Sequence, residues 1–303
     1  MRIGAIYPHT EVPADPAAIR DYARAAEALG YAHVGADDHV IGPNPDRPGG
    51  WTEWVTNATP FVEPFVLFSF MAGATSGLEF ATCVLLLPQR QTVLVAKQAA
   101  GLDQLSGGRL RLGLGVGWNH IEYQSLGEDF ATRGRRLDEQ IEVLRALWTG
   151  PSVAFEGTWH SIPDAGICPP PVQRPIPLWF GGHAPVAIRR AARVGDGWMP
   201  LFLTPAAAAP ALAVLDEALA ENGRDRSSFG LEARIPYGRG DADEWRALLD
   251  GWRAVGATHA SLVATDSGLT TPAEHLAALE RFAEAGIPAK GRARHRGSSR
   301  VPA

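Results

Sequence analysis

The chain has 303 residues, a formal net charge of -5 and 46% hydrophobic residues. This composition is typical of a globular protein with a large core, and it offers no excess positive charge for binding nucleic acid. The two cysteines, Cys83 and Cys168, exclude a disulfide framework, and the longest apolar stretch, residues 64–74, is too short to cross a bilayer. Since the first residues also lack the pattern of a signal peptide, we expect a cytoplasmic protein without a membrane partner.

Short apolar runs alternate with amphipathic helical segments along the chain. The first unit is a strand followed by a helix that starts after Asp15 with Pro16 and ends at Gly30. The predicted strands are residues 3–7, 33–36, 80–87, 109–114, 176–180, 197–201, 231–235 and 259–263. The clearest later helices are residues 92–105, 135–148, 185–194, 243–255 and 272–285. Eight such units predict an α/β protein, a single (β/α)8 TIM barrel over residues 1–288.

Two segments interrupt the repeat. Residues 41–60 are rich in Pro, Gly and Trp, and residues 151–175 contain a turn at Glu156-Gly157-Thr158. We predict that both are loops inserted after strands two and four, where they would form lids or substrate walls at the face that carries barrel active sites. Passive surface decoration is the alternative. The basic tail, residues 289–303, has no hydrophobic periodicity and is predicted to be disordered.

The predicted strand 109–114 ends in a glycine-rich exit, with glycines at 113, 115 and 117. Glycines at this spacing allow backbone to approach a ligand closely, although a tight turn from strand to helix would need the same residues. The segment does not fit the dinucleotide fingerprint, because the last glycine of that motif would fall on Trp118 or His120. A Rossmann fold is therefore not expected.

Five clusters at or near the ends of predicted strands are candidates for chemistry, because strand ends of a barrel converge on one mouth. Two glycines before a helix suit a phosphate, since free amide groups and the helix dipole point at it. Together the clusters predict a mouth that holds a large, planar, phosphate-bearing cofactor. They are Asp37-Asp38-His39, Cys83-Val84, Gly115-Val116-Gly117-Trp118-Asn119, Trp179-Phe180-Gly181-Gly182-His183 and Gly195-Asp196-Gly197-Trp198.

Two of these clusters have plain structural alternatives. An imidazole backed by a carboxylate can exchange protons, so Asp38 and His39 are candidate catalytic residues, but an aspartate cap beside a surface histidine would look the same. Cys83 and Val84 lie in an apolar strand that suits the wall of a flat ring, or ordinary barrel packing.

Metal and covalent chemistry have little support. The nine histidines include no HExxH pair, there is no GxSxG elbow, and neither cysteine lies in a CxxC motif. His120 and Glu122 form only a weak ligand pair, so we predict no metal site. Hydride chemistry on an organic cofactor fits the clusters better.

These motifs resemble the luciferase-like monooxygenases and the flavin- or deazaflavin-dependent oxidoreductases that share the bacterial luciferase barrel. The resemblance runs from about Arg2 to Pro200. Within it, Gly117-Trp118-Asn119 followed by Glu122-Tyr123 is similar to the branch that uses the deazaflavin coenzyme F420 rather than FMN. The motifs that carry it are AAEALGY at 25–31, Asp38-His39, residues 85–118, RGRRLDEQIEVLRALW at 133–148, WFGGHAP at 179–185 and GDGWMP at 195–200.

The resemblance implies a cofactor ring against the third strand, where this family often carries a non-proline cis peptide, here Cys83-Val84. It also implies that His39, supported by Asp38, faces the ring as proton donor or hydrogen-bond partner. The implied catalytic residues are thus His39 and Asp38. The implied cofactor-binding residues are Cys83, Val84, Gly115, Gly117, Trp118, Asn119, Gly181, Gly182, His183, Gly195 and Asp196.

The function expected from the resemblance is hydride transfer between F420 and a small organic substrate. An FMN-dependent, two-component monooxygenase is the alternative enzyme, and a non-catalytic flavin-binding protein is the alternative outside enzymes. A sugar-phosphate dehydrogenase is not expected, because that branch has a catalytic glutamate where this chain has Trp118, and spacing alone does not place Glu122 in the site. Aromatic residues of the insertions favour an apolar or aromatic substrate, and family habit suggests a homodimer.

Overall fold

In a computed structural model, which describes residues 1–288, the apolar runs form parallel strands around a barrel. The sheet order is β3-β2-β1-β11-β10-β9-β8-β5-β4, and a further pairing of β3 with β5 closes it. The predicted (β/α)8 barrel is therefore confirmed. The strands are β1 (Arg2–Ile6), β2 (His33–Ala36), β3 (Glu79–Thr82), β4 (Leu85–Leu86), β5 (Leu110–Gly115), β6 (Val153–Glu156), β7 (Ser161–Ala165), β8 (Leu178–Gly181), β9 (Gly197–Met199), β10 (Gly230–Pro236) and β11 (His259–Val263).

The third barrel strand is interrupted at its carboxyl end. Phe80 pairs with Leu110 of β5, and Leu85 pairs with Leu114 of β5. Between these two pairs the third barrel strand has one residue more than β5. The extra residue forms a bulge, which divides the predicted strand 80–87 into β3 and β4. The peptide bond Cys83-Val84 within the bulge is cis, as the family resemblance implies.

Helices surround the barrel, and most of them begin and end where the sequence predicts. At the first, the Asp15 side chain accepts a hydrogen bond of 2.8 Å from the amide of Ala18, and Pro16 occupies the first turn. The helices are α1 (Pro16–Ala28), α2 (Pro64–Ala74), α3 (Thr92–Ser106), α4 (His120–Ser125), α5 (Arg133–Thr149), α6 (Pro185–Val194), α7 (Pro205–Glu221), α8 (Ala242–Ala254) and α9 (Pro272–Gly286).

The two insertions differ in position. Residues 41–60 lie between β2 and α2, at the carboxyl ends of the strands, as predicted. Residues 151–175 instead lie between α5 and β8, so the prediction of a βα loop after strand four is wrong. They contain the antiparallel pair β6–β7, and His160 near the hairpin tip lies 2.6 Å from Thr92 Oγ1 and 2.7 Å from Glu139 Oε1. The hairpin thus covers the outer groove between α3 and α5.

A buried polar cluster fills the lower part of the barrel lumen. Glu232 Oε1 lies 3.1 Å from His33 Nε2 and accepts a hydrogen bond of 2.6 Å from Ser261, while Glu232 Oε2 is 2.6 Å from Arg111 Nη1. Burial alone would raise the pKa of Glu232, but Arg111 and His33 outweigh it and hold this pKa well below its usual range. Gly4 leaves room for the His33 ring, because a Cβ there would lie 2.3 Å from Nε2.

No helix within residues 1–288 has both the length and the apolar character needed to span a bilayer. The tail predicted to be disordered, residues 289–303, lies outside the described residues.

Candidate active site

His39 and Glu122 meet at the mouth of the barrel. His39 follows β2 and Glu122 lies on α4, which follows β5, and His39 Nδ1 is 3.1 and 3.2 Å from the two carboxylate oxygens. The amide of Val40 donates a further hydrogen bond of 2.8 Å to Glu122 Oε1. Because an ionised carboxylate only accepts hydrogen bonds, this contact places a proton on Nδ1 and leaves Nε2 for a ligand.

Asp38 does not support His39 as predicted. Asp38 Oδ2 accepts a hydrogen bond of 3.0 Å from the amide of Leu86, and Oδ1 pairs with Arg90 at 2.7 Å. Burial raises the pKa of Asp38, although Arg90 opposes this shift. Asp38 therefore joins the end of β2 to β4, and the carboxylate that orients His39 comes from Glu122, 83 positions along the chain.

Aromatic side chains enclose His39. Its ring centroid lies 5.0 Å from that of Phe61, 5.7 Å from Trp54 and 5.8 Å from Trp118. Trp51 stacks on Trp118 at 6.0 Å with an interplanar angle of 18°. The insertion 41–60 thus contributes two tryptophans to the mouth, and a cavity of about 250 Å³ lies between this insertion, His39 and Phe61.

The cis peptide forms part of an apolar wall beside the mouth. Val84 is only partly buried and packs over two glycines of neighbouring strands. A Cβ at Gly115 would lie 2.3 Å from Val84 Cγ2, and one at Gly181 would lie 2.9 Å from Val84 Cγ1. These glycines therefore make room for the Val84 side chain. Burial raises the pKa of the Cys83 thiol, so this thiol is unsuited to act as a nucleophile.

The segment Gly181-Gly182-His183 leads from the carboxyl end of β8 into α6. Gly182 has a φ of +104°, which strongly favours glycine, and its carbonyl accepts a hydrogen bond of 2.9 Å from Trp198 Nε1. The N-cap residue of α6, Ala184, has no side-chain acceptor for the first amides of the helix. Pro185 has no N–H and the amide of Ala187 donates to the Ala184 carbonyl at 2.8 Å, so the amide of Val186 is the first-turn donor left for a phosphate at this end of α6.

The glycine-rich exit of β5 also reaches the mouth. Gly117 has a φ of +67°, and Trp118 is 39% exposed. The Asn119 side chain accepts a hydrogen bond of 3.1 Å from the amide of Ile121 and so caps α4. Its Nδ2 is buried and has no hydrogen-bond partner within residues 1–288, which leaves one donor for a ligand.

Gly195 and Asp196 lie at the opposite end of the barrel, so their predicted place at the cofactor mouth is wrong. They connect α6 to the amino end of β9. Asp196 Oδ2 accepts a hydrogen bond of 2.8 Å from the amide of Leu178, and Gly195 has no room for a Cβ beside the ring of Phe180. Both residues hold neighbouring strands and a helix together, as is usual at the amino-terminal face.

His9, behind Phe61, gives the protein a pH-dependent stability. Burial lowers its pKa from 6.5 to about 4, with Asp37 opposing the shift and His39 adding to it. As the pH falls below 6.5 the unfolded chain is protonated first, so stability is lost toward the folded pKa. Between about pH 7 and about pH 4.5, this protonation should lower the free energy of unfolding of the wild type by about 2 kcal/mol, and His9→Gln should not show this loss. Urea unfolding at both pH values measures the difference. The exposed His120→Gln should keep it, and an equal loss in both variants would contradict the prediction.

Sequence reasoning missed two residues of the mouth. The spacing of Glu122 does not reveal its contact with His39, because this contact depends on how α4 packs over the barrel. Arg234 was not singled out, although Glu232 and Arg234 alternate with apolar residues along β10. In a barrel strand this alternation marks the side that faces the lumen, so it was an available signal.

The profile of the family described as luciferase-like monooxygenase matches residues 1–299. The chain belongs to this family. Uncharacterized protein Rv0940c of Mycobacterium tuberculosis is 43% identical over 183 residues, which cover 58% of the chain and 62% of that protein. F420-dependent glucose-6-phosphate dehydrogenase of Amycolatopsis mediterranei is 33% identical over 189 residues, which cover 61% of the chain and 53% of that protein. Pyrimidine monooxygenase RutA of Enterobacter cloacae is 33% identical over 194 residues, which cover 60% of the chain and 51% of that protein.

The chain therefore matches between 51% and 62% of the length of these family relatives, which include oxidoreductases. Solved structures that share its fold include the following two. Monooxygenase RslO1 from Streptomyces bottropensis has a TM-score of 0.76 at 20% identity, covering 95% of this chain and 99% of that one. An F420-dependent secondary alcohol dehydrogenase, in complex with an F420–acetone adduct, has a TM-score of 0.76 at 19% identity, with coverages of 94% and 97%.

Proposed function

We propose that this family member is an oxidoreductase that transfers a hydride between coenzyme F420 and a small organic substrate. The observation that carries the proposal is the pair of His39 and Glu122, enclosed by aromatic rings next to the cis peptide wall. An imidazole whose Nδ1 is held by a buried carboxylate is arranged for proton exchange at Nε2. Oxidation of an alcohol, or reduction of a carbonyl group, requires such an exchange.

The residues at the mouth fit a deazaflavin or flavin. The bulge at Cys83 and Val84 offers an apolar surface for one face of a flat ring. The amide of Val186 in the first turn of α6 is available for a phosphate, and Asn119 Nδ2 supplies a further donor. When bound, F420 supplies a two-electron acceptor or donor, which none of the side chains at the mouth can provide.

His39 handles the proton in this proposal. With Nδ1–H donated to Glu122, the neutral ring accepts a proton at Nε2 from a substrate hydroxyl, and the buried carboxylate stabilises the imidazolium that forms. In the opposite direction the same imidazolium returns the proton. Trp51, Trp54 and Trp118 limit water around His39 and favour a substrate with an apolar or aromatic part.

Titration of the purified protein with F420 and with FMN, each oxidised and reduced, tests the cofactor. We expect selective binding of F420, detected by fluorescence quenching. Gly182→Val should bind F420 more weakly, because the backbone at a φ of +104° does not tolerate a valine side chain. Gly223→Val, at an open position beyond α7 where the φ is also positive, is the control for backbone strain. Selective binding of reduced FMN would instead indicate a two-component monooxygenase, and binding of neither cofactor would overturn the proposal.

Glu122→Gln is expected to lower turnover by about 10- to 100-fold, because a neutral amide stabilises an imidazolium far less than a carboxylate does. Turnover is followed through the deazaflavin absorbance with a panel of alcohols and ketones. The pH dependence of kcat should shift as well, since the charge next to His39 is lost. Glu128→Gln, at a carboxylate between α4 and α5 that pairs with Arg136 and not with His39, serves as the control. Equal activity of both variants would refute the role of Glu122.

We also propose a homodimer that covers the outer face of α2. Val66 and Phe70 on α2 are 64% and 45% exposed, and Val93 and Leu94 on the adjacent α3 are 45% and 52% exposed. A helix that is apolar on nearly every side needs a partner beyond the barrel. We expect a dimer in sedimentation equilibrium and monomers after Phe70→Glu. A monomeric wild-type protein would overturn this part of the proposal.

A further inference from the structure

The upper part of the barrel lumen is apolar except for one ion pair. A small core cluster of Ile6, Ala81, Cys83, Trp179 and Met199 fills this level, with Val84 and Val263 only partly buried above it. Into this cluster β10 projects Arg234. Its Nη2 donates a hydrogen bond of 2.7 Å to the carbonyl of Cys83 and one of 3.1 Å to Asp37 Oδ1.

Arg234 reaches its partners across the lumen. In the sheet order three strands separate β10 from β3 on one side, and three separate them on the other. The guanidinium therefore lies between opposite walls and forms a floor beneath the mouth, above the level of Glu232 and Arg111. Its side chain is 19% exposed and that of Asp37 is 38% exposed, so both remain open to a ligand from the mouth.

The pair keeps free hydrogen-bonding capacity. Within residues 1–288 both contacts of the guanidinium use Nη2, so Nη1 and Nε have no protein acceptor, and Asp37 Oδ2 has no protein donor. Burial by itself would lower the pKa of Arg234, but Asp37 together with Cys83 and Glu232 outweighs burial and raises this pKa, so the guanidinium is charged. The pair as a whole is neutral, with donors on one member and an acceptor on the other.

This arrangement discriminates between ligand groups. A carbonyl oxygen next to an N–H group satisfies both members, since the oxygen accepts from Arg234 while the N–H donates to Asp37. A carboxylate is attracted by Arg234 but brings a second negative charge to Asp37 and lacks a donor for it. The apolar cluster beneath the pair keeps the guanidinium from full solvation, which strengthens the hydrogen bonds it donates.

We infer that Asp37 and Arg234 form a specificity-determining pair that binds a neutral amide, lactam or imide at the floor of the mouth. The inference rests on the proposed function only in that the same mouth receives the reactants. The amide-type group belongs either to the substrate or to the pyrimidinedione edge of a bound deazaflavin or flavin. In both cases Arg234 donates a hydrogen bond to an oxygen of the group, and Asp37 accepts one from the N–H beside it.

The first test compares benzamide with benzoate, two ligands of similar shape, in ligand-observed NMR titrations of the protein without cofactor. We expect benzamide to bind about tenfold more tightly, the effect of one charge-assisted hydrogen bond. Asp37→Asn should reverse the order, because it leaves the arginine uncompensated. Arg234→Met should weaken both ligands, and Arg246→Met, at an exposed pair with Asp243, should change neither. Equal affinities in the wild type, or an unchanged order in Asp37→Asn, would overturn the inference.

The second test identifies the source of the group. The benzamide titration is repeated with protein saturated with the cofactor that the fluorescence titration selects. Continued binding assigns the pair to the substrate, whereas displacement of benzamide assigns it to the cofactor edge. Because the first test needs neither cofactor nor turnover, a failed cofactor titration leaves its result intact. Circular dichroism melts check that each variant folds. If Arg234→Met does not fold, the same benzamide and benzoate titrations of Arg234→Lys and of Asp37→Asn, at a partly exposed residue, test the inference in its place.

Discussion

His39→Gln is expected to lower kcat by roughly a hundred- to ten-thousand-fold, the range in which a positioned acid–base group contributes. A glutamine amide can still donate to Glu122, so the loop after β2 should keep its conformation, but no group then exchanges a proton where Nε2 stood. Since Phe61, Trp54 and Trp118 remain in place, KM should change much less than kcat. Steady-state kinetics across a range of pH values measures both effects.

The matched control for this result is His120→Gln, an exposed histidine of α4 at the same mouth. It should retain nearly all of the wild-type kcat. If His39→Gln turned over substrate as fast as this control, proton exchange would have to occur at another group. If the wild type itself showed no turnover with any bound cofactor, a binding protein without catalysis would be the better description.

Glu232→Ala is expected to reduce the free energy of unfolding by about 3–5 kcal/mol, the usual consequence of removing one partner of a buried ion pair. The guanidinium of Arg111 lies 4.3 Å over the ring of Trp179, and its carboxylate partner is Glu232 at 2.6 Å. Without this carboxylate, Arg111 stays charged in a lumen that excludes water, and His33 and Ser261 lose an acceptor. Urea unfolding followed by circular dichroism measures the change.

An exposed ion pair provides the comparison. Glu217 contacts Arg189 at 2.8 Å, but its side chain is 60% exposed, so Glu217→Ala should cost less than about 1 kcal/mol. A loss of similar size in Glu217→Ala and Glu232→Ala would show that the lumen cluster is hydrated. Retained stability in Glu232→Ala would show that Arg111 finds another acceptor.

Local patterns were sufficient for most elements of the fold. Strands of a parallel barrel are buried on both sides and read as short apolar runs, while α1, α6 and α8 each carry one apolar face, and α1 and α6 begin at Pro16 and Pro185. Periodicity does not identify a helix that has no polar face. α2 is apolar throughout and α7 is rich in alanine with Pro210 inside, so neither was among the clear helical predictions.

The position of a residue relative to its strand decides at which end of the barrel it lies. His39, Gly117 and Gly182 follow strands and lie at the mouth, whereas Gly195 and Asp196 precede β9 and lie at the other end. In the sequence, a short motif of glycine and polar residues before a strand looks the same as one after a strand. Similarly, residues 151–175 were assigned to the mouth although they follow the helix α5, not a strand, and an αβ connection starts from the opposite face.

The sequence by itself determined the barrel, the family and the mouth segments that follow β2, β5 and β8, because periodicity, caps and motifs are local properties. Only the tertiary structure decided which charged groups meet. Asp38, adjacent to His39 in sequence, turns to Arg90, while Glu122 supplies the carboxylate for His39 and Arg234 crosses the lumen to Asp37. Neighbouring residues of an extended segment point to different sides, and the closed barrel brings distant strand ends within hydrogen-bonding distance.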